Sequence, residues 1–389
     1  MTDWEAVRAD VPGTAGKTYL NSCSMGLPSQ GVLAALHDYG ASWSSLGAAS
    51  WHDAWMDAHD AWRKALARLI GARPDEVCWA PSVGAALASL GSALLRERLA
   101  GRSTRDELVL GDLEFPAALA ALGQRPGTRV RTAISTSGRI PPAAYTDLLG
   151  PRSETLLASR VLFSTGAVQD VAALSKAARA AGAFSIVDDY QGLGQFAGDV
   201  DAFGSDATVG GSLKWLCGGV ASAYLHVRRD RIADLQPMHY GWWANQDMFA
   251  FDGTFTPADD ARRFMGGEVN VPGLLTSLAA IERMLQLGPG RVERRTQELA
   301  GDLRERLADA HVPVLDLPEG ERSAIVMVPR PDARAEVQRL QRVGLIVDDR
   351  NGSLRASPHY YNTVADNERL VAALVQHGGR PATAVPAAG

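Results

Sequence analysis

The sequence holds only three cysteines in 389 residues, Cys23, Cys78 and Cys217. Their number is odd and none stands at C-x-x-C spacing, which argues against disulfides and against a zinc or dithiol site. Lysine is nearly as scarce. Lys17, Lys64, Lys176 and Lys214 are all there are, and arginine supplies nearly all the other positive charge. Chemistry that needs an amine nucleophile is thereby confined to four positions. No stretch approaches the ~18 apolar residues of a membrane span. The opening segment carries Asp3, Glu5, Arg8 and Asp10 in place of an apolar signal core. No membrane partner and a cytoplasmic location are expected. Acidic and basic residues are interspersed at a formal charge of −5. No basic stripe exists to displace counterions from a phosphate backbone, so nucleic acid is not an expected partner.

What is present suits a folded globular chain, with 46% hydrophobic and 21% charged residues. The length exceeds the size at which single cores stop growing, so a large domain with a smaller companion is expected. Residues 1–45 read as a segment associated with the small domain, 46–270 as the large domain and 271–376 as the small domain. Residues 377–389, ending Pro-Ala-Thr-Ala-Val-Pro-Ala-Ala-Gly, read as a disordered tail.

A helix is predicted over 51–70, where Trp51, Trp55, Trp62, Leu66 and Leu69 share one face as a core or subunit-contact stripe. His52 and His59 lie two turns apart, which is not the spacing of a helical metal pair, and both read as structural. From residue 75 short apolar strands, at 76–79, 107–110, 129–131, 160–163 and 183–187, alternate with helical patterns at 85–99, 117–123 and 170–181. This alternation predicts an α/β fold with a mostly parallel central sheet and helices on both faces. Functional groups in such sheets gather at the carboxyl ends of the strands. Beyond residue 227 come an aromatic loop, His239-Tyr240-Gly241-Trp242-Trp243, a helical pattern over 272–307, and a smaller α+β region at 312–376.

Two sites carry chemistry. The strand at 184–187 ends in Asp188, with Gln191 three residues on, and an acid there points into the ligand crevice or caps the next turn. A second strand-like run, Ala207-Thr208-Val209, opens into Gly210-Gly211-Ser212-Leu213-Lys214-Trp215-Leu216. Burial lowers the pKa of an amine, and an unprotonated amine is what imine formation needs. Taken alone, Lys214 fits a snorkelling surface lysine equally well. Together, Asp188 and Lys214 supply what pyridoxal 5′-phosphate (PLP) asks of a protein: an acid for the pyridine nitrogen and an amine for the Schiff base.

Here the sequence resembles the class V aminotransferase family of fold-type I PLP enzymes, which includes cysteine desulfurases, kynureninases, isopenicillin N epimerase and C–S lyases. The resemblance runs from Tyr19-Leu20-Asn21-Ser22 to Arg355-Ala356-Ser357-Pro358-His359-Tyr360-Tyr361-Asn362-Thr363. It implies that Lys214 carries PLP, that Asp188 faces the pyridine nitrogen and that Gln191 hydrogen-bonds the phenolic oxygen. It further implies that Phe115 stacks on the ring, that Ser212 reaches the phosphate, and that Arg355 clamps the α-carboxylate of an amino-acid substrate. A homodimer that completes the active site is implied as well. The phosphate is expected at Pro81-Ser82-Val83-Gly84, where a strand turns into a helix whose first N–H groups are free for an anion. For Ser82 alone, a plain N-cap is the commoner role.

Two departures narrow the reading. No cysteine follows Cys217, whereas a persulfide-forming cysteine desulfurase needs a nucleophilic cysteine on a mobile loop well past its lysine. That activity is not expected. Glu268, in Arg263-Phe264-Met265-Gly266-Gly267-Glu268, takes the place of a threonine that in many relatives touches the partner chain's phosphate. It either turns away, performs acid–base work or reads a substrate amine, and a similar Gly-Glu pair occurs among C–S lyases. Kynureninase likeness lies in Ser212-Leu213-Lys214-Trp215-Leu216, Gly241-Trp242-Trp243 and Phe115-Pro116, but the Pro-Pro stretch after Arg-Phe is absent. The expected activity is a lyase or hydrolase that eliminates a side-chain substituent. An aminotransferase is the alternative, followed by an amino-acid epimerase. A non-catalytic scaffold is opposed by the joint presence of Asp188, Lys214 and Arg355.

Overall fold

The structure is a computed structural model that describes residues 2–376. The tail expected at 377–389 lies outside the described residues. In chain order the strands are β1 (Thr18–Tyr19), β2 (Val77–Ala80), β3 (Glu107–Gly111), β4 (Arg129–Ala133), β5 (Ser153–Ser159) and β6 (Phe184–Asp188). They continue as β7 (Ala207–Gly211), β8 (Ala223–Val227), β9 (Val326–Pro329), β10 (Leu345–Ile346), β11 (Asp348–Arg350) and β12 (Ser353–Ala356). Seven of them form one sheet in the order β2-β8-β7-β6-β5-β3-β4. Only β8 runs against its neighbours. Every residue of β3, β5, β6, β7 and β8 is buried, as befits parallel strands covered on both faces. The edge strand β4 is the exception, with exposed Arg129, Val130 and Thr132, and an arginine on an open edge discourages pairing with another chain.

The chain order along the sheet reverses between β3 and β5, which opens a crevice at their carboxyl ends. One expected strand is displaced. The ladder beside β6 is Ser153–Ser159, and 160–163 is not a strand but a turn closed by the Gly166 N–H on the Leu162 carbonyl. The Arg160 N–H still donates to the Asp188 carbonyl, but its own carbonyl accepts the Gln169 N–H at 2.9 Å, while its guanidinium turns to the Asp189 carboxylate, 3.5 Å away, and to the Ala197 carbonyl. Ser159, and not Phe163, therefore ends the strand next to Asp188.

The helix expected over 51–70 begins as a wider turn, Trp51–Trp55, and continues as Met56–Ile70. Trp55, Trp62, Leu66 and Leu69 on its stripe are buried. It packs on the helix Val271–Leu287, which also receives the helix Gln30–Leu46. The long pattern at 272–307 is two helices, because Gly288 takes a left-handed φ of 84° and Pro289 starts the second, Pro289–Asp309.

Beyond the large sheet, β11, β12 and β9 form a small antiparallel sheet, while β1 pairs with β10. An ion pair of 2.8 Å between Arg8 and Asp366 ties the amino-terminal segment to the same region. The core of this second unit, around Leu303, Val326, Leu354 and Leu370, also takes in Leu20, Cys23 and Trp215. The loop that bears Lys214 is thus held between two hydrophobic clusters, Trp215 in this one and Leu216 and Cys217 in that of the large sheet. No helix among the described residues is long and apolar enough to cross a membrane.

Candidate active site

Asp188, Lys214, Gln191, Phe115, Ser82 and Val83 all line one cavity of about 360 Å³ at the carboxyl ends of the sheet strands. Asp188 is the last residue of β6, in register with Ser159 on one side and Val209 on the other. Burial pushes its carboxyl up from the ordinary range, partly offset by the Tyr190 N–H at 2.9 Å and the Lys214 charge. Lys214 follows β7 by three residues. Burial pulls its amine down to about 8, against the opposing influence of nearby Cys23 and Asp188. Its Nζ lies 4.6 Å from the ring centre of Tyr190 and 5.8 Å from that of Phe115. A Cβ at Gly211 would stand 2.3 Å from the Tyr190 ring, so only glycine lets that ring lie under the lysine.

The loop is held from the small-sheet side. His359 Nε2 donates to the Trp215 carbonyl at 2.7 Å, and its Nδ1 meets the Thr296 hydroxyl at 3.2 Å. A carbonyl can only accept, so the proton is on Nε2, and burial keeps the ring neutral by pushing its pKa down to about 3. Trp215 in turn donates to Gln191 Oε1 at 2.8 Å, while Gln191 Nε2 donates to the Cys23 carbonyl at 2.9 Å. Phe115 is 49% exposed and meets the ring of Phe163 edge-on at 5.2 Å, so one of its faces stays open to the cavity.

Ser82 caps the helix Val83–Leu99 by accepting the Ala85 N–H at 3.1 Å. The amides of Val83 and Gly84 have no carbonyl one turn back and face a ligand by position. Ser222, which sequence reasoning passed over, lines the same cavity with a buried hydroxyl that has no partner. Ala221 beside it holds a strained φ of 52°. An orphaned hydroxyl next to free helix amides fits an anionic group such as the PLP phosphate. Ser212 is not brought to this place. Its hydroxyl lies 3.4 Å from the Gly219 and Ser222 carbonyls, and it does not line the cavity.

Arg355 is 2% exposed on β12. Its Nη1 donates to the Phe163 carbonyl at 2.6 Å, and its Nη2 to Asp348 at 2.7 Å and to the Ser24 hydroxyl at 2.8 Å. Phe163 lines the cavity but Arg355 itself does not, so the guanidinium stands behind that wall, with a buried Nε–H that has no partner. Burial works against ionisation of Asp348, yet the Ser24 hydroxyl and the charges of Arg355 and Arg350 hold its carboxyl below the ordinary range. Glu268 is exposed and lines a different cavity, of about 400 Å³, with Trp79, Pro81 and His239. Pro81 borders both cavities.

A lysine with a depressed pKa, a buried acid, an open aromatic face and an anion cradle line one cavity, and these are the groups that PLP asks of a protein. Over residues 18–370 the chain matches Aminotransferase class-V, and it belongs to that family. Its cofactor is pyridoxal 5′-phosphate. Among curated proteins it is similar to Uncharacterized aminotransferase YcbU of Bacillus subtilis, at 27% identity over 92% of this chain and 94% of that one. Isopenicillin N epimerase of Amycolatopsis lactamdurans is 29% identical over 80% and 83%, and kynureninase of Deinococcus radiodurans 29% over 88% and 84%. Among solved structures, the apo cysteine desulfurase of Thermococcus onnurineus superposes with a TM-score of 0.85 at 20% identity, covering 97% of this chain and 98% of that one. The cystine C–S lyase C-DES, in complex with its product cysteine persulfide, gives 0.83 at 22%, covering 94% and 99%. These two likenesses establish the fold, and together with the family match they make it that of a fold-type I PLP enzyme.

Proposed function

We propose that the chain is a lyase or hydrolase that removes a side-chain substituent from an α-amino acid, with Lys214 as its cofactor-bearing amine. The observation that carries this reading is that Asp188 and Lys214 line one cavity, with Arg355 behind it through Phe163. When bound, PLP supplies an electron sink for charge developing at the α-carbon. Asp188 would hold a proton at the pyridine nitrogen, Gln191 would bind the phenolic oxygen, and Phe115 would lie against the ring. Ser82, Val83 and Ser222 would hold the phosphate. Arg355 orients the substrate through its α-carboxylate. Lys214, poised near pH 8, takes the α-proton and is close to the pH at which general bases work best.

The likeness to a kynureninase and to a cystine C–S lyase supports elimination. Transamination is the second reading, favoured by the relative named as an aminotransferase. A persulfide-carrying role is not proposed, because Cys23, Cys78 and Cys217 are all buried. Burial also pushes the Cys78 and Cys217 thiols up to about 12, away from the reactive thiolate. Free buried thiols accord with a cytoplasmic protein. Exposed Leu36, Trp43, Leu46 and Phe251 accord with a homodimer. Incubation of the PLP-loaded protein with S-substituted cysteines, with kynurenine, and with an amino acid and keto acid pair tests the reading. Release of pyruvate with ammonia, or of alanine from kynurenine, is expected. Formation of a new amino acid and the matching keto acid from the pair, with no pyruvate and ammonia from the cysteines and no alanine from kynurenine, would replace elimination with transamination.

A further inference from the structure

Glu114 is a buried acid, 8% exposed, that none of these roles uses. It precedes Phe115 in the turn after β3. Its Oε1 accepts the Ser159 N–H at 2.8 Å, its Oε2 meets the Ser159 hydroxyl, and the Tyr145 hydroxyl donates to Oε1 at 3.5 Å. The groups that face it are Ser159 from β5, Tyr145 from the helix Pro142–Thr146, and the Asp188 carboxyl from β6. No guanidinium, ammonium or imidazole pairs with it among the described residues. Ser159 both stands beside Asp188 in the ladder and lines the cofactor cavity.

The direction of one hydrogen bond follows from the charge on this acid. A backbone N–H can only donate, but the Ser159 hydroxyl can donate or accept. When Glu114 is ionised, Ser159 must give its hydrogen to Oε2. When Oε2 carries a proton, the acid is the donor and the serine hydrogen is free to turn into the cavity. Burial, with a smaller contribution from the Asp188 charge, pushes Glu114 up to about 7, so both states are reached near neutral pH.

We propose that Glu114 is a positioning residue that decides whether Ser159 offers its hydroxyl hydrogen to the cofactor or turns it away. Loss of the Glu114 proton withdraws that donor and adds a second negative charge behind Asp188, which strengthens the base the ring nitrogen faces. The exchange balances as one proton released for one hydroxyl rotation. This inference rests on the reading that Asp188 and Lys214 flank PLP.

The test uses two readouts on the full chain. Infrared spectra of the cofactor-free protein should show a protonated-carboxyl band that fades with a midpoint near pH 7 and is missing in Glu114→Gln. In the PLP-loaded protein, the visible absorbance should carry a pH step at the same midpoint. Glu114→Gln and Ser159→Ala should each lose that step while still taking up PLP. An infrared band unchanged in Glu114→Gln, or titrations of both variants that superimpose on the wild type, would overturn the proposal. Should Glu114→Gln not fold, an unchanged titration in Ser159→Ala does so alone. Lys214→Ala separates the two readings. If that variant keeps the visible band, the site assignment falls, whereas the infrared band of Glu114 is untouched.

Discussion

Two corners of the cavity treat charge in opposite ways. At the carboxyl ends of β5 and β6 and on the loop after β7, Glu114, Asp188 and Lys214 are displaced from their ordinary pKa values chiefly by burial. None of the three makes an ion pair among the described residues. At the corner built by β11 and β12, Arg355 is saturated on two sides by Asp348, Ser24 and the Phe163 carbonyl. The first corner suits proton transfer, since burial without an ion pair displaces these groups from their ordinary values and leaves them responsive to a ligand. The second is built to recognise, since a guanidinium keeps its charge at every accessible pH and its partners fix the plane of its fork.

The sharpest test of the contrast is Lys214→Ala. It should abolish the visible absorbance of the PLP-loaded protein and all turnover, read by spectrum and by product release. Residual turnover with an intact band would place the amine elsewhere and dissolve the first corner. At the recognition corner, Arg355→Lys keeps the charge but loses the fork. A loss of about 2–4 kcal/mol in binding is expected for a disrupted buried charge contact, about 30- to 1,000-fold in KM. A fall in kcat with KM unchanged would mean that Arg355 does not hold the substrate.

The two corners should also differ in pH response. PLP uptake by the cofactor-free protein should accelerate as pH rises through about 8 and then level off, as the Lys214 amine loses its proton. The sign for stability follows. The folded pKa lies below the unfolded one, so stabilisation by neutral Lys214 is complete above about 10.5 and is lost as pH falls through about 8. Its size is at most about 3 kcal/mol. Melting curves of Lys214→Met should lack this slope, while those of Arg355→Lys should keep it. The smallest effect is expected for Ser82→Ala, which removes the cap of the helix Val83–Leu99. It should cost about 1 kcal/mol in denaturant unfolding, with weaker retention of PLP but unchanged retention of pyridoxal, which lacks the phosphate.

Much of the proton-moving corner was legible along the chain. Asp188 ends an uninterrupted apolar run and Lys214 stands among glycines and apolar residues, so each is marked by local punctuation. The helix start at Ser82 was marked in the same way, one turn after a strand. The strand Ser153–Ser159 was not legible, because its run Thr155-Leu156-Leu157-Ala158 competes with the apolar 161–163, and the ladder stops where the Arg160 carbonyl takes the Gln169 N–H, a contact nine residues on. Ser222, Glu114 and His359 carried no local signal of a role. Ser222 matters through a missing partner, Glu114 through the hydroxyl it faces, and His359 through a carbonyl far from it in sequence. For Ser212 and Glu268 the position in the chain was readable, but the direction of the first side chain and the cavity bordered by the second were not.

The amino-acid order by itself determined the α/β alternation, the four possible amines and the acid at a strand's end, because periodicity and scarcity are properties of a chain without a shape. Only the tertiary structure decided that Asp188 and Lys214 line one cavity, that Arg355 arrives already paired, and that Glu114 lies out of water without an ion-pair partner among the described residues. Those outcomes depend on which groups are brought within hydrogen-bonding distance and shielded from solvent together, and that is set by packing between segments far apart along the chain.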